Sequence, residues 1–295
     1  MKLHSYRIVL LLGFPLAASA EPITTVASEM HAAADHPDAE THFQLARKLL
    51  AGDGVPKDEK KAFDLMKAAA DQGHADAIGG LGYFYSIGLV VPKDDMLAIE
   101  WFRKGAEKGS AKSQLNLGKM LLEGKAGAAV DAESSRLQGL QWIAKSADQG
   151  LPEAQLSYGK ILYFGDHGQP QDYKKAMIYL KPTAVSGMAE AQNMLGSMYE
   201  CGSGIPVDPT AALRWYRKAA MHGNSRAQAN LGMLMGPLGA NKEVRIEALA
   251  WLLMASQQQQ VTAVKALADA TPALKAGELD EAVKKQAELT KLVKK

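Results

Sequence analysis

Small and apolar positions recur along this chain in a fixed register. Ala46, Gly82, Gly118, Gly159, Gly196, Gly232 and Ala268 form one ladder, spaced 36, 36, 41, 37, 36 and 36 residues apart. Ala62, Ala98, Gly139, Ala176, Ala212 and Ala248 form a second. Eleven residues after each of these stand Gly73, Gly109, Gly150, Gly187, Gly223 and Gln259, and nine residues further on the first ladder resumes. All the length variation therefore falls between the first ladder and the second. A loop absorbs such variation while the helices on either side keep their packing register.

Each half of the repeat reads as a helix. Ala77, Leu81 and Tyr85 recur at i, i+4 and i+8, as do Ala191, Leu195 and Tyr199, which is one face of a 3.6-residue period. The second half opens on Asp58, Asp94, Asp172 or Asp208, suited to capping a helix N-terminus. It closes on the glycine ladder, where a left-handed C-cap is expected. Pro56, Pro92, Pro170 and Pro206 fall in the connecting loops.

Trp101, Trp142, Trp215 and Trp251 all lie three residues after a second-ladder position, with Leu65 and Tyr179 in the other two repeats. Four tryptophans on one repeat position read as buried packing residues. A lone helix pair cannot bury such a face, so the pairs must stack. The expected fold is all-α: an α/α solenoid of about six helix pairs over residues 39–74, 75–110, 111–151, 152–188, 189–224 and 225–260. A half-repeat and a cap would fill 261–295, the final helix presenting Leu279, Val283, Ala287 and Leu292 as its apolar face.

The stretch Ala189-Glu-Ala-Gln-Asn-Met-Leu-Gly-Ser-Met-Tyr-Glu-Cys-Gly-Ser-Gly-Ile-Pro-Val-Asp208, followed by Ala211-Ala-Leu-Arg-Trp-Tyr-Arg-Lys-Ala-Ala-Met-His-Gly223, resembles the Sel-one-like repeat family. This family is related to the tetratricopeptide repeat, with a longer loop inside each pair. The resemblance implies a right-handed solenoid that binds protein or peptide partners, in an exported bacterial member. Repeat one departs from the pattern with Ala46 and Leu65, and repeat six ends in Gln257 to Gln260 where glycine is usual.

The N-terminus reads as an export signal. Lys2 and Arg7 precede an apolar stretch from Ile8 to Leu16, and Ala18-Ser19-Ala20 offers a small-x-small cleavage pattern. Cleavage there leaves a leader over 21–38, no further membrane span, and a periplasmic or secreted protein. Composition then changes little: 47% of residues are hydrophobic and 22% charged. The formal charge of +2 belongs to the signal, because losing Lys2 and Arg7 leaves 32 basic residues against 32 acidic ones. Such a neutral chain gives no reason to expect nucleic acid as a partner.

Chemistry is sparse. The seven histidines make no metal-ligand spacing, and neither a cofactor nor a metal is expected. Cys201 is unpaired and is expected to be buried. Ser157-Tyr-Gly-Lys160 matches the Ser-x-x-Lys nucleophile motif, but no Ser-Asp-Asn or Lys-Thr-Gly accompanies it. Binding or hydrolysis of β-lactams or peptidoglycan fragments is therefore the alternative to a non-catalytic scaffold. The expected binding residues flank the first ladder on the inner face: Arg47, Tyr83, Asn116, Lys119, Lys160, Asn193 and Asn230, with Gln44, Ser157, Met194 and Met233 beside them. Arg47, Lys119 and Lys160 share one register, so a basic, Asn-rich face is expected to receive an acidic or C-terminal peptide.

Overall fold

The structure is a computed structural model that describes residues 38–127, 131–237, 239 and 241–293. The export signal and the leader up to residue 37 lie outside the described residues, as do His31 and His36. Fourteen α-helices and no strand occur among the described residues. They divide into two compact units, residues 1–154 and 155–295. The first holds α1 (Ala39–Ala51), α2 (Glu59–Asp71), α3 (Ala75–Ile87), α4 (Asp95–Glu107), α5 (Ala111–Leu122) and α6 (Ala132–Asp148). Next, α7 (Pro152–Phe164) begins at the boundary and contributes its residues from 155 onward to the second unit. There it is followed by α8 (Tyr173–Val185), α9 (Ala189–Cys201), α10 (Pro209–Met221), α11 (Ser225–Met235), α12 (Lys242–Gln257), α13 (Val261–Ala270) and α14 (Glu278–Leu292). No described helix is long and apolar enough to cross a membrane.

The local signals act as expected. Asp58, Asp94, Asp172 and Asp208 accept from the backbone N–H three residues on, each at 2.9 Å. Asp131 does the same for α6 at 2.7 Å. One such cap is worth about 1 kcal/mol. The glycines that close the second helices take left-handed backbone, with φ 94° at Gly109, and Gln259 is held at φ 61° in the repeat that lacks glycine. Asp38 caps α1, which begins at Ala39, where the first repeat was expected to begin.

The two ladders of small residues meet each other. A Cβ added at Gly118 of α5 would lie 2.6 Å from the Gly139 carbonyl oxygen of α6 and 2.6 Å from Ile143. At Gly82 it would meet Ala98 O at 3.0 Å and the Phe102 ring at 2.9 Å. At Gly232 it would meet Ala248 O and Leu252, both at 2.7 Å. Hydrogen at the first ladder thus lets the backbone of the second helix come into contact. The residue four beyond the second ladder then covers the glycine: Phe102, Ile143, Leu180, Tyr216 and Leu252 are the deeply buried side chains.

That position corrects the reading of the tryptophans. Trp251 is 1% exposed, but Trp101, Trp142 and Trp215 are only half-buried. One face of each packs on the core, and the lysine three residues later lies over the other, at 4.7, 4.3 and 4.5 Å from the ring centroid. Full burial belongs to their neighbours, which sit one helical step closer to the first helix.

Polar side chains tie successive repeats together. Gln192, buried at the start of α9, donates to Ala184 O of α8 at 3.0 Å and accepts from His222 Nδ1 at the end of α10 at 3.2 Å. Gln114 repeats the pattern, donating to Ala106 O and accepting from Gln149. So does Gln228, between Ala220 O and Gln258. Each amide has both a donor and an acceptor role filled, which a buried polar group requires.

The last helix corrects a second expectation. Leu279, Val283 and Leu292 are exposed, as is Ala287; Ala282, Gln286 and Leu289 face inward. Glu278 sets this rotation. It is buried, receives a hydrogen bond from the Arg245 guanidinium of α12, and accepts from Lys275 N at 3.0 Å. The Arg245 hydrogen bond, with that from Lys275 N, holds the Glu278 carboxyl below the usual carboxylate range. Cys201 is the third correction: it is exposed at the C-terminus of α9, in the last turn before the loop.

Three outcomes follow. Gly118→Ala should destabilise the protein by about 2 kcal/mol, since an added methyl meets backbone that cannot give way. Gly109→Ala, whose Cβ would meet nothing within 4 Å, should cost about 1 kcal/mol from φ alone. Urea unfolding of both variants ranks them. Because the folded pKa of Glu278 is lowered, its contribution to stability is present above the ordinary 4.5 and is lost as pH falls through the folded value. Melting temperature followed from neutral to acid pH should therefore fall less steeply in Glu278→Gln, from a lower starting point.

Candidate functional site

Within the second unit, the first helices of successive repeats line a groove of about 530 Å³. The wall on α7 carries Lys160, Tyr163 and Phe164, and that on α9 carries Glu190, Asn193 and Ser197. Asn224, Arg226 and Asn230 come from the N-cap and body of α11, and Gln260 from the N-cap of α13. The residues at equivalent repeat positions stack one above another because the register between repeats is held by the glutamine amides.

Pairs of side chains bridge the helices along the groove. Lys160 Nζ donates to Glu190 Oε1 at 2.6 Å. Tyr163 Oη and Ser197 Oγ lie 3.0 Å apart. Asn230 Nδ2 donates to Asn193 Oδ1 at 3.0 Å, and Gln260 Nε2 to Ser225 Oγ at 2.7 Å. Each amide in these pairs keeps further donor or acceptor capacity. Phe164, more than half exposed, and the edge of Met194 supply the apolar part of the wall.

This arrangement brings together three of the seven expected binding residues, Lys160, Asn193 and Asn230. It also changes their chemistry. The groove is charge-compensated where a basic face was expected, since Glu190 comes from the next first helix to meet Lys160 and Asp166 stands in the wall with Arg226. Glu190 lies in the N-terminal turn of its helix, next to the repeat boundary, where a pattern built around the Leu-Gly pair gave it no weight.

The other four residues belong to the first unit. Arg47 is half-buried over the Phe43 ring at 5.8 Å and donates to Gln44 Oε1 at 3.2 Å. Tyr83 is half-buried, and that burial pushes its phenol above the ordinary tyrosine value. Lys119 is half-buried on α5. Asn116 is 6% exposed and offers no free side chain to a partner. At the equivalent Gly80 an added Cβ would strike Met66 of the preceding repeat at 2.5 Å, whereas Asn230 in the same register reaches the groove of the second unit.

Ser157 is partly buried on α7, three residues before a lysine whose ammonium group turns to Glu190. Among the described residues, no cluster of three or more His, Cys, Asp or Glu side chains is suited to a metal ion. His74 has a structural role: its Nδ1 accepts from Ala77 N at 3.1 Å to cap α3, and its Nε2 bonds to Glu40 at 2.9 Å. Tyr216, deeply buried against Gly196, donates to Glu200 at 2.6 Å; burial first, then that hydrogen bond, pushes its phenol far up.

The chain matches the Sel1 repeat over residues 39–74, 75–110, 111–151, 152–184, 189–224 and 225–259. An uncharacterized protein of Neisseria meningitidis serogroup B is 29% identical over 242 residues, covering 80% of this chain and 46% of that protein. A chitin synthase regulator of Malassezia restricta is 37% identical over 67 residues, 23% of this chain and 5% of its own length. The chain thus spans less than half the length of these relatives. Among solved structures, a protective antigen of uropathogenic Escherichia coli strains with an SLR fold has a TM-score of 0.78 at 28% identity, over 92% of this chain and 57% of that one. A Sel1 repeat protein from Oxalobacter formigenes has a TM-score of 0.61 at 32% identity, over 75% of this chain and 88% of its own. The matched repeats cover most of the described helices, each a pair closed on a glycine or alanine, and the chain belongs to the Sel1 repeat family.

Proposed function

We propose that this protein is a non-catalytic interaction scaffold of the bacterial cell envelope, which holds an extended segment of a protein partner in the groove lined by α7, α9 and α11. The observation that carries the reading is the stacked row of polar pairs from Lys160–Glu190 to Asn193–Asn230. A row of amides and hydroxyls spaced by a repeat matches a backbone that presents donors and acceptors at regular intervals. Phe164 supplies an apolar contact, and the compensated charge favours a segment of mixed charge over a strongly acidic one. No bond is made or broken; binding is the sum of many small contacts on a rigid wall.

The envelope location rests on the sequence of residues 1–20. An exported protein would be released by osmotic shock with a mature N-terminus at Glu21. A product that stays with the cytoplasm, beginning at Met1, would remove this part of the proposal.

Photo-cross-linking from position 197, inside the groove, should capture a defined partner in intact cells. Asn193→Ala combined with Asn230→Ala should cut that adduct by about tenfold, as expected for two groove hydrogen bonds at ~0.5–1.5 kcal/mol each. Equal adducts from position 197 and from the exposed Leu137 of the first unit would show that the groove has no special role. Turnover of a chromogenic β-lactam that disappears in Ser157→Ala would replace the scaffold with an enzyme.

A further inference from the structure

Two second helices of the second unit, α8 and α10, differ sharply in charge from the second helices of the first unit. In the first unit, acids and bases are balanced: α2 carries Glu59, Asp64 and Asp71 with three lysines, and α6 carries Glu133 and Asp148 with Arg136 and Lys145. In the second unit, α8 carries Lys174, Lys175 and Lys181, and α10 carries Arg214, Arg217 and Lys218, without a single acid on either helix. The repeat register makes the change specific. Ile178 stands where earlier repeats have Asp64, Glu100 and Gln141, and Val185 where they have Asp71, Glu107 and Asp148. Both aliphatic side chains point to solvent, at 66% and 69% exposed.

Both helices pack on α9, and Trp215 of α10 joins the cluster that also holds Ala176, Leu180 and Ala184 of α8. On α10, Arg214, Arg217, Lys218, Met221 and His222 line an open recess of about 460 Å³ with an apolar floor, together with Leu292 of α14. Arg217 is paired with Glu247 at 3.0 Å, and Lys218 lies over Trp215. No ion pair engages Lys174, Lys181 or Arg214 among the described residues. The two helices thus expose aliphatic side chains, an apolar recess and cations without ion-pair partners.

We propose that the exposed faces of α8 and α10, with the recess beside Leu292, form a second docking surface, separate from the groove, for an acidic protein segment carrying apolar side chains. Charge complementarity selects the acidic character: an acidic segment would neutralise Lys174, Lys181 and Arg214, and a basic one would be repelled. The recess selects a protein over a bilayer. A membrane takes up apolar groups that protrude, whereas a recess must be filled by a side chain that the partner inserts. Ile178 and Val185 offer the same segment further exposed apolar contacts.

The test uses the full chain and a fluorescent helical peptide with leucines at i, i+3, i+4 and i+7 and glutamates elsewhere. Controls are the same peptide with lysines replacing the glutamates, and phosphatidylglycerol vesicles. Ile178→Glu with Val185→Asp alters the exposed aliphatic positions using residue types that the same register already carries in other repeats, so folding should be preserved; a melting curve checks this. Lys181→Glu with Arg214→Glu reverses two of the cations. Anisotropy should show binding of the glutamate peptide alone, weakened about tenfold by either double variant and by raised salt. Asn193→Ala with Asn230→Ala should leave it unchanged, which separates this surface from the groove. Equal affinity in wild type and both double variants would overturn the proposal. So would binding of the vesicles in place of the peptide, or self-association of the chain that the charge reversal abolishes.

Discussion

In repeats two, three and six the helix pair closes where the backbone of its first helix touches the backbone of its second, and there is room at that point for a hydrogen and nothing larger. At Gly118 and Gly139 the two ladders face each other so closely that each would drive an added Cβ into the other's carbonyl oxygen, at 2.6 and 2.8 Å. This approach sets the distance between the helices. That distance in turn decides which side chain covers the glycine, and it explains why Phe102, Ile143, Leu180, Tyr216 and Leu252 are large and fully buried while Trp101, Trp142 and Trp215 lie half in solvent. Repeat one tolerates Ala46, itself fully buried.

Contact between successive repeats is handled differently, by buried amides. A glutamine at the start of a first helix can donate to one second helix and accept from the next, because its side chain carries both functions. Gln114, Gln192 and Gln228 all do so. In repeat one His42 takes the equivalent place, 3.3 Å from Gln72. An apolar residue would pack as well, yet it would leave the last carbonyls of the preceding helix without a partner. The register of the stack is thereby specified by hydrogen bonds, and the polar rows along the groove inherit their alignment from it.

The two faces of the second unit serve different chemistry for the same geometric reason. First helices line the groove, so their side chains meet across a repeat and neutralise one another, as Lys160 and Glu190 do. Second helices expose a face that no later repeat covers, and charges there stay uncompensated unless the next helix supplies a partner. Arg217 finds Glu247; Arg214 and Lys181 find no ion-pair partner among the described residues.

The repeat itself was legible without coordinates. The ladders, the aspartate caps and the closing glycines are local requirements of backbone geometry, and a residue that meets such a requirement declares it wherever it stands. Side-chain rotation and cross-repeat pairing were not legible. Glu278 turns α14 because Arg245 awaits it across the cap, which puts Leu279 and Val283 outward against the pattern of hydrophobicity. Glu190 lies thirty residues from the Lys160 that it neutralises. Asn116 and Cys201 exchanged their expected places, one buried and one exposed, for the same reason. Periodicity assigns a residue to a helix and a face, but what covers that face is decided by neighbours distant in the chain, and only the tertiary structure brings them together.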